Sequence, residues 1–420
     1  MIAIPIILSL VLLVLDIIKN RKIYSPGVVF NGITFVTLFM YSFRLSEIQQ
    51  DLSGKTILLL TLCIVAFNLP VLIVYFVKRK NITDSKIKAA APEFKIYETS
   101  KWLDLVLFII ILTLFLIEVI YNQGIPLAWK FLNTNKVYVD FGMPYLHSIF
   151  TSLLMLVGGY SLFKKKCYYK WFYLSIPILI ISRALLASMV IKGLIMYIIV
   201  AKNKPKLFWC YLFIAGFVGL LLFGLIGNFR TGQAEFLAVA QFKPWADWLP
   251  SSFKWAYAYL CFSVSNLNNL ISMTPGFVNY GASSLDSILP PGWQLPENAV
   301  FNFLVSPNFT VSGFAPSLYL DFGLAGPIIL CLLIGILSIY LFSKINVSEV
   351  SVLFYAIVLY SIIFIWYSSP FIYTPFILQM ILIPVIFVLP RLFKQRRKNE
   401  RNNLGGGKRD QVVSVDGGNQ

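Results

Sequence analysis

Residues 171–201 read WFYLSIPILIISRALLASMVIKGLIMYIIVA, an apolar run broken only by the charges of Arg183 and Lys192. As a single helix the run would be about 46 Å long at 1.5 Å per residue, well beyond the roughly 30 Å hydrocarbon core of a bilayer. Its flanks decide how it folds. Lys164-Lys165-Lys166 precede it, and Lys202, Lys204 and Lys206 follow it. Basic residues collect on the cytoplasmic side of a membrane. One tilted helix would separate the two clusters, whereas a hairpin of two short spans keeps both on one side. We expect spans at 171–185 and 187–201, with Arg183 and Lys192 at or just below the outer surface. An ionisable side chain at that depth is costly and is a functional candidate by default.

The same reading extends along the chain. Of its 420 residues 58% are hydrophobic and 13% charged, against about 25% charged in soluble domains; mean hydropathy is +0.77. We expect an all-α, polytopic bundle of about eleven spans, at 2–18, 26–43, 55–77, 102–121, 148–163, 171–185, 187–201, 207–227, 314–342, 350–366 and 371–390. With the N-terminus outside and the C-terminus inside, 26 of the 35 lysines and arginines are cytoplasmic; the opposite orientation inverts that ratio. The net charge of +17 is thus a topology signal and not a nucleic-acid footprint, and the partner it implies is the lipid bilayer. Residues 1–390 form one transmembrane domain with outer loops at 122–147 and 228–313, and 391–420 form a basic, then Gly-rich cytoplasmic tail. Met1–Leu15 has no basic segment before its apolar run, so the first span is expected to be retained, not cleaved as a signal peptide. The five cysteines form no CxxC pair and there is a single histidine, so neither metal nor cofactor is expected. No internal repeat of the kind common in secondary transporters is present.

Chemistry is therefore sought among outward cations, carboxylates and aromatics. Arg183 and Arg230 suit a ligand with phosphates at headgroup depth, because guanidinium binds phosphate through a planar fork and stays charged in apolar surroundings; Lys192 and Lys130 are further candidates. The stretch Ser252–Met273 is apolar but carries Ser263, Ser265, Asn266, Asn268 and Asn269, and is expected to be an interfacial or re-entrant helix. The aromatics of 228–313, among them Trp245 and Trp248, combine with these amides as a sugar-binding surface, to which Tyr319 adds. For acid–base work Asp321 stands first, since it lies inside the first turns of a span and needs a partner. Asp140, Glu118 and His147 follow. His147 stands where the loop 122–147 meets the next span.

Gly124-Ile-Pro-Leu127 and Asp140-Phe-Gly-Met-Pro-Tyr145 bracket an outer loop, followed by the Arg183 hairpin, by Arg230, and by Val311-Ser-Gly-Phe-Ala-Pro-Ser-Leu-Tyr-Leu-Asp-Phe-Gly-Leu-Ala-Gly326. Together they resemble the Wzy-type polymerases of bacterial O-antigen and capsule repeat units, over about residues 100–390. The resemblance implies a metal-independent GT-C-type glycosyltransferase of the bacterial cytoplasmic membrane. Its donor is a glycan on undecaprenyl pyrophosphate and its acceptor a repeat unit on the same carrier. It implies Arg183 and Arg230 on the pyrophosphate and Asp321, then Asp140, on the acceptor hydroxyl. A flippase and a chain-length regulator of the same pathway are the implied protein partners. The spacing of Arg183 to Gly193 and Arg230 to Gly232 matches no repeated arginine motif. An O-antigen ligase would carry its histidine in the large loop, where 228–313 has none, and a lipid-linked oligosaccharide flippase would carry charges through the mid-membrane.

Overall fold

A computed structural model describes residues 2–20, 22–81, 101–132, 141–164, 167–201, 208–274, 279–285, 303–306 and 309–388. The described residues are helical throughout their ordered elements, with one isolated bridge between Ser46 and Phe242. In chain order the helices are α1 (Ala3–Asn20), α2 (Pro26–Ser42), α3 (Gly54–Asn81), α4 (Lys101–Tyr121), α5 (Pro126–Phe131), α6 (Leu146–Phe163), α7 (Lys170–Leu179) and α8 (Arg183–Val200). Then come α9 (Phe208–Thr231), α10 (Gln233–Ala240), α11 (Ser251–Met273), α12 (Ala282–Leu285), α13 (Ala315–Phe322), α14 (Ala325–Lys344), α15 (Glu349–Ile363) and α16 (Thr374–Ile383). Among the described residues seven helical stretches are long and apolar enough to cross a bilayer: Ala3–Asn20, Gly54–Phe76, Lys101–Phe131, Leu146–Phe163, Arg183–Val200, Leu212–Phe229 and Ala325–Lys344. Three shorter apolar helices accompany them. The chain is a multi-pass membrane protein.

Loops gather at two ends. At the basic end Lys22 lies over the Phe342 ring, 5.6 Å from its centroid, and Lys164 pairs with Asp104 at 2.9 Å. Near that end Asp16 is buried and bonded to Asn20, Ser25 and Tyr75, which ties α1 to α2 and α3. The reciprocal amide bonds of Asn31 and Asn68, 2.8 and 2.9 Å, join α2 to α3 further along. Gly335 of α14 lies against the Phe67 carbonyl of α3, which lets those two helices pack closely.

The hairpin expected from residues 171–201 forms, but its arms are unequal. α7 has ten residues, about 15 Å or half a crossing. It stops where Ser182 N–H reaches back to the Pro177 carbonyl and Ile181 takes φ +53°. The Ser182 hydroxyl then accepts from Leu185 N–H and starts α8. α8 runs parallel to α6, with Met189 against Gly158 and Gly193 against Leu162. That register puts Arg183 level with Ser152, so α8 starts six residues, about 9 Å, short of the α6 terminus. Arg183 is recessed from the end of the bundle.

Two other expectations change. The span expected at 314–342 is two helices, because Gly323 takes φ +60° between α13 and α14, a conformation glycine adopts without penalty. Of the two forms expected for 252–273, the interfacial one is not seen: α11 buries residues on all faces, including Lys254, Asn266 and Asn268. Its amides stitch the loops around it. Asn268 accepts from Ser53 N–H (2.8 Å) and the Thr56 hydroxyl (2.8 Å) and donates to the Asp51 carbonyl (3.1 Å). Asn266 and Asn269 bond the backbone of 303–311. Internal polar bonding explains why so buried a helix has low hydropathy.

Candidate functional site

A cavity of about 1150 Å³ lies among α6, α8, α9, α10, α11, α15 and α16, at the end of the bundle away from the basic one. The recess above α7 and α8 opens it. His147, Arg183, Lys192 and Glu235 all contribute to its wall.

His147 sits in the first turn of α6, and its Nδ1 lies 3.1 and 3.0 Å from the two carboxylate oxygens of Glu118 at the end of α4. Glu118 is fully buried while the histidine is about one-third exposed. A buried carboxylate on Nδ1–H fixes the tautomer and orientation of an imidazole, leaving Nε2 as the basic nitrogen. The seat is built by the loop around it. Gly142 takes φ +133°, and a Cβ there would lie 2.7 Å from His147 Cγ, so only glycine leaves room for the ring. Phe141 meets the ring edge-on at 6.2 Å, and Asn122 bonds both the Glu118 carbonyl (2.7 Å) and Gly142 N–H (3.4 Å). The Phe-Gly of 141–142 and the Glu118–Asn122 helix end are thus one unit.

Arg183 faces the other side of the cavity. Its guanidinium donates to the Phe223 carbonyl (3.0 Å) and to the Tyr259 hydroxyl (3.1 Å). It stands 4.5, 5.5 and 5.7 Å from the ring centroids of Phe223, Trp255 and Tyr259. Trp255 in turn stacks on Phe236 at 3.7 Å and donates to Asn228. Four ion pairs occur among the described residues, and none includes Arg183. A guanidinium cradled by ring faces, with donors left over, can receive an anion. Lys192 lies deeper, nine residues on along α8. It is 1% exposed, donates to the Gln379 amide oxygen and stands 4.8 Å over the Tyr360 ring, again with no carboxylate among the described residues.

The remaining candidates lie elsewhere. Asp321 is 1% exposed and accepts from the backbone N–H of Ser283 (3.0 Å) and Ser284 (2.6 Å). Both oxygens cap α12, so the partner that a buried acid needs is here the backbone. Trp245 and Trp248 are exposed, at 54% and 76%, and do not line the cavity. Tyr319 is buried with its hydroxyl on the Thr274 carbonyl. Lys130 is exposed, over the Phe229 ring at 5.6 Å. Asp140 and the side chain of Arg230 lie outside the described residues. The aromatic wall is formed instead by Trp255, Tyr259, Tyr360 and Tyr367. For the first two a signal existed: Trp255 and Tyr259 are i and i+4 on α11 and share a face.

No protein-family model, curated protein or solved structure matches the chain.

Proposed function

We propose that the chain is a glycosyltransferase that joins oligosaccharide repeat units carried on polyprenyl pyrophosphate, at the outer face of a bacterial cytoplasmic membrane, in O-antigen or capsule synthesis. In this reading the basic end faces the cytoplasm, the N-terminus is outside, and the cavity opens outward. The observation that carries it is the meeting, in one cavity, of an arginine with no ion pair among the described residues and a histidine oriented by a buried carboxylate. His147 Nε2 takes the proton of the acceptor hydroxyl as that oxygen attacks the donor's anomeric carbon. The bond from that carbon to the pyrophosphate oxygen breaks, and Arg183 stabilises the charge that develops there. Trp255, Tyr259 and Tyr367 offer faces for sugar rings. In this mechanism Asp321 acts by holding the 283–284 turn at the cavity wall, and Glu118 by orienting the base. The protein partners would be the flippase that supplies repeat units and a regulator of chain length.

Two other readings each have one observation in their favour. Transfer of a finished glycan to a different acceptor, as in an O-antigen ligase, would use the same His147–Glu118 pair. A lipid-linked oligosaccharide flippase would use Lys192, a cation buried midway along α8. An in-frame deletion in the native host, with surface and lipid-linked glycan separated by gel, decides among them. Polymerisation predicts collapse of the ladder to a single exported repeat unit, restored by the wild-type chain and not by Arg183→Ala. Full-length glycan left on the lipid carrier would instead indicate a ligase, and repeat units held on the cytoplasmic face a flippase.

A further inference from the structure

α8 and α9 are antiparallel neighbours joined at two points. At one, Arg183 bonds the Phe223 carbonyl at 3.0 Å; at the other, the rings of Tyr197 and Phe208 meet at 5.7 Å. These points are fourteen residues apart on α8 and fifteen on α9, about 21–22 Å of helix. Between them the two helices make no extended contact among the described residues. The rest of α9 contrasts with this: Ser252 and Trp255 of α11 close directly onto Gly224 and Gly227. Lower down, a Cβ built on Gly216 or Gly219 meets nothing within 4 Å. Only 11% of the Leu212–Phe229 stretch is buried.

This gap is continuous with the cavity. Ala184 and Ala187 of α8 and Gly216 and Leu220 of α9 line the same space as Arg183, and Ala184 and Gly216 are exposed. A substrate that carries its charged head on a long hydrocarbon tail cannot bring that tail into a water-filled cavity without a large hydrophobic cost. The head can reach Arg183 only if the wall is open sideways to lipid. We infer that the α8–α9 gap is a lateral slot that holds the isoprenoid chain of the lipid-linked donor while its pyrophosphate lies at Arg183. The inference rests on the lipid-linked substrate class proposed above. The slot is about two-thirds as tall as the hydrocarbon core, its walls are apolar and small, and the cation stands at its upper end. A single isoprenoid chain, methyl-branched but only one chain wide, needs a narrower slot than the paired acyl chains of a phospholipid.

Two measurements test it. Gly216→Trp fills the slot at a position where no neighbour must move; Gly219→Trp, three residues on and equally unobstructed, lies off the cavity wall. In the deletion host, Gly216→Trp is expected to abolish the glycan ladder and Gly219→Trp to support it, with both chains inserted in equal amounts. A ladder maintained by Gly216→Trp overturns the slot while leaving the polymerase reading intact. Independently, the full-length chain in nanodiscs is irradiated with a diazirine-bearing polyisoprenyl phosphate, and the adducts are mapped by mass spectrometry. Label concentrated on α8 and α9 around Ala187, Gly216 and Leu220, and lost in Gly216→Trp, is the expected result. Label spread over the lipid-facing helices, or matched by a diazirine phosphatidylglycerol at the same residues, would show bulk lipid and overturn the slot. The labelling reads the slot even where the ladder is unaffected by deletion, the outcome that refutes the polymerase reading alone.

Discussion

Two buried carboxylates separate what holds this protein together from what it can do. Glu118 and Asp321 are almost equally withdrawn from solvent, at 0% and 1% exposure. Asp321 gives its oxygens to the backbone N–H groups of Ser283 and Ser284, groups that have no other chemistry. Glu118 gives its oxygens to one nitrogen of an imidazole that lines the cavity. Burial alone makes both residues expensive and therefore noticeable. The partner tells the roles apart, since a capped turn is an end in itself while an oriented base is a tool.

The largest effect that would break this comparison is at His147. His147→Ala removes the base and is expected to slow repeat-unit transfer per folded molecule by about 10²–10⁴-fold, and also to lower Tm, because the buried Glu118 carboxylate loses its imidazole partner. Glu118→Gln keeps the shape but weakens the hold on the tautomer, and is expected to lose most of that rate as well. Transfer of lipid-linked repeat units by the purified chain in nanodiscs measures both. A Glu118→Gln chain that unfolds early but turns over normally would make Glu118 another Asp321. Asp321→Asn should act mainly on stability. One acceptor becomes a donor facing a backbone N–H, at a cost of about 1–3 kcal/mol, read as a lowered Tm in detergent. The transfer rate per folded molecule is expected to fall far less than in His147→Ala.

How much of this was visible in the sequence follows the same division. Hydropathy and lysine placement gave the bundle and the hairpin at residues 171–201, because burial in lipid is a property of each residue summed over a window. The half length of α7 was not visible, since it depends on a backbone bond from Ser182 to Pro177 that spans no apolar boundary. Glu118 and His147 could each be placed near the end of a helix, and so at one level. That they are bonded depends on α4 lying beside α6, a fact of packing and not of pattern. Asp321 looked catalytic because an acid in an apolar run demands a partner, and the partner proved to be main chain. Trp245 and Trp248 attract attention by being tryptophans, yet the rings that surround Arg183 belong to Trp255 and Tyr259, one turn apart on a helix whose polar residues disguise its burial.

The smallest predicted effect concerns the two flanks of α8, and it sharpens the same lesson with glycines. On the α6 side, a Cβ at Gly193 would lie 2.9 Å from Leu162 Cβ and 3.0 Å from the Gly159 carbonyl oxygen. The second contact is with backbone, which cannot swing aside, so Gly193→Ala must push two helices apart and is expected to cost about 1–3 kcal/mol. On the α9 side, Gly216 has open space. Gly216→Ala there should gain roughly 0.5–1 kcal/mol from helix propensity with nothing lost in packing. The same substitution is thus expected to lower Tm at one position and raise it at the other, measured side by side in one detergent. If both lower it, α9 is packed against something that fills the gap, and the open slot beside Arg183 closes. If both raise it, the close contact of α6 with α8 is absent, and with it the register that sets Arg183 back from the end of the bundle.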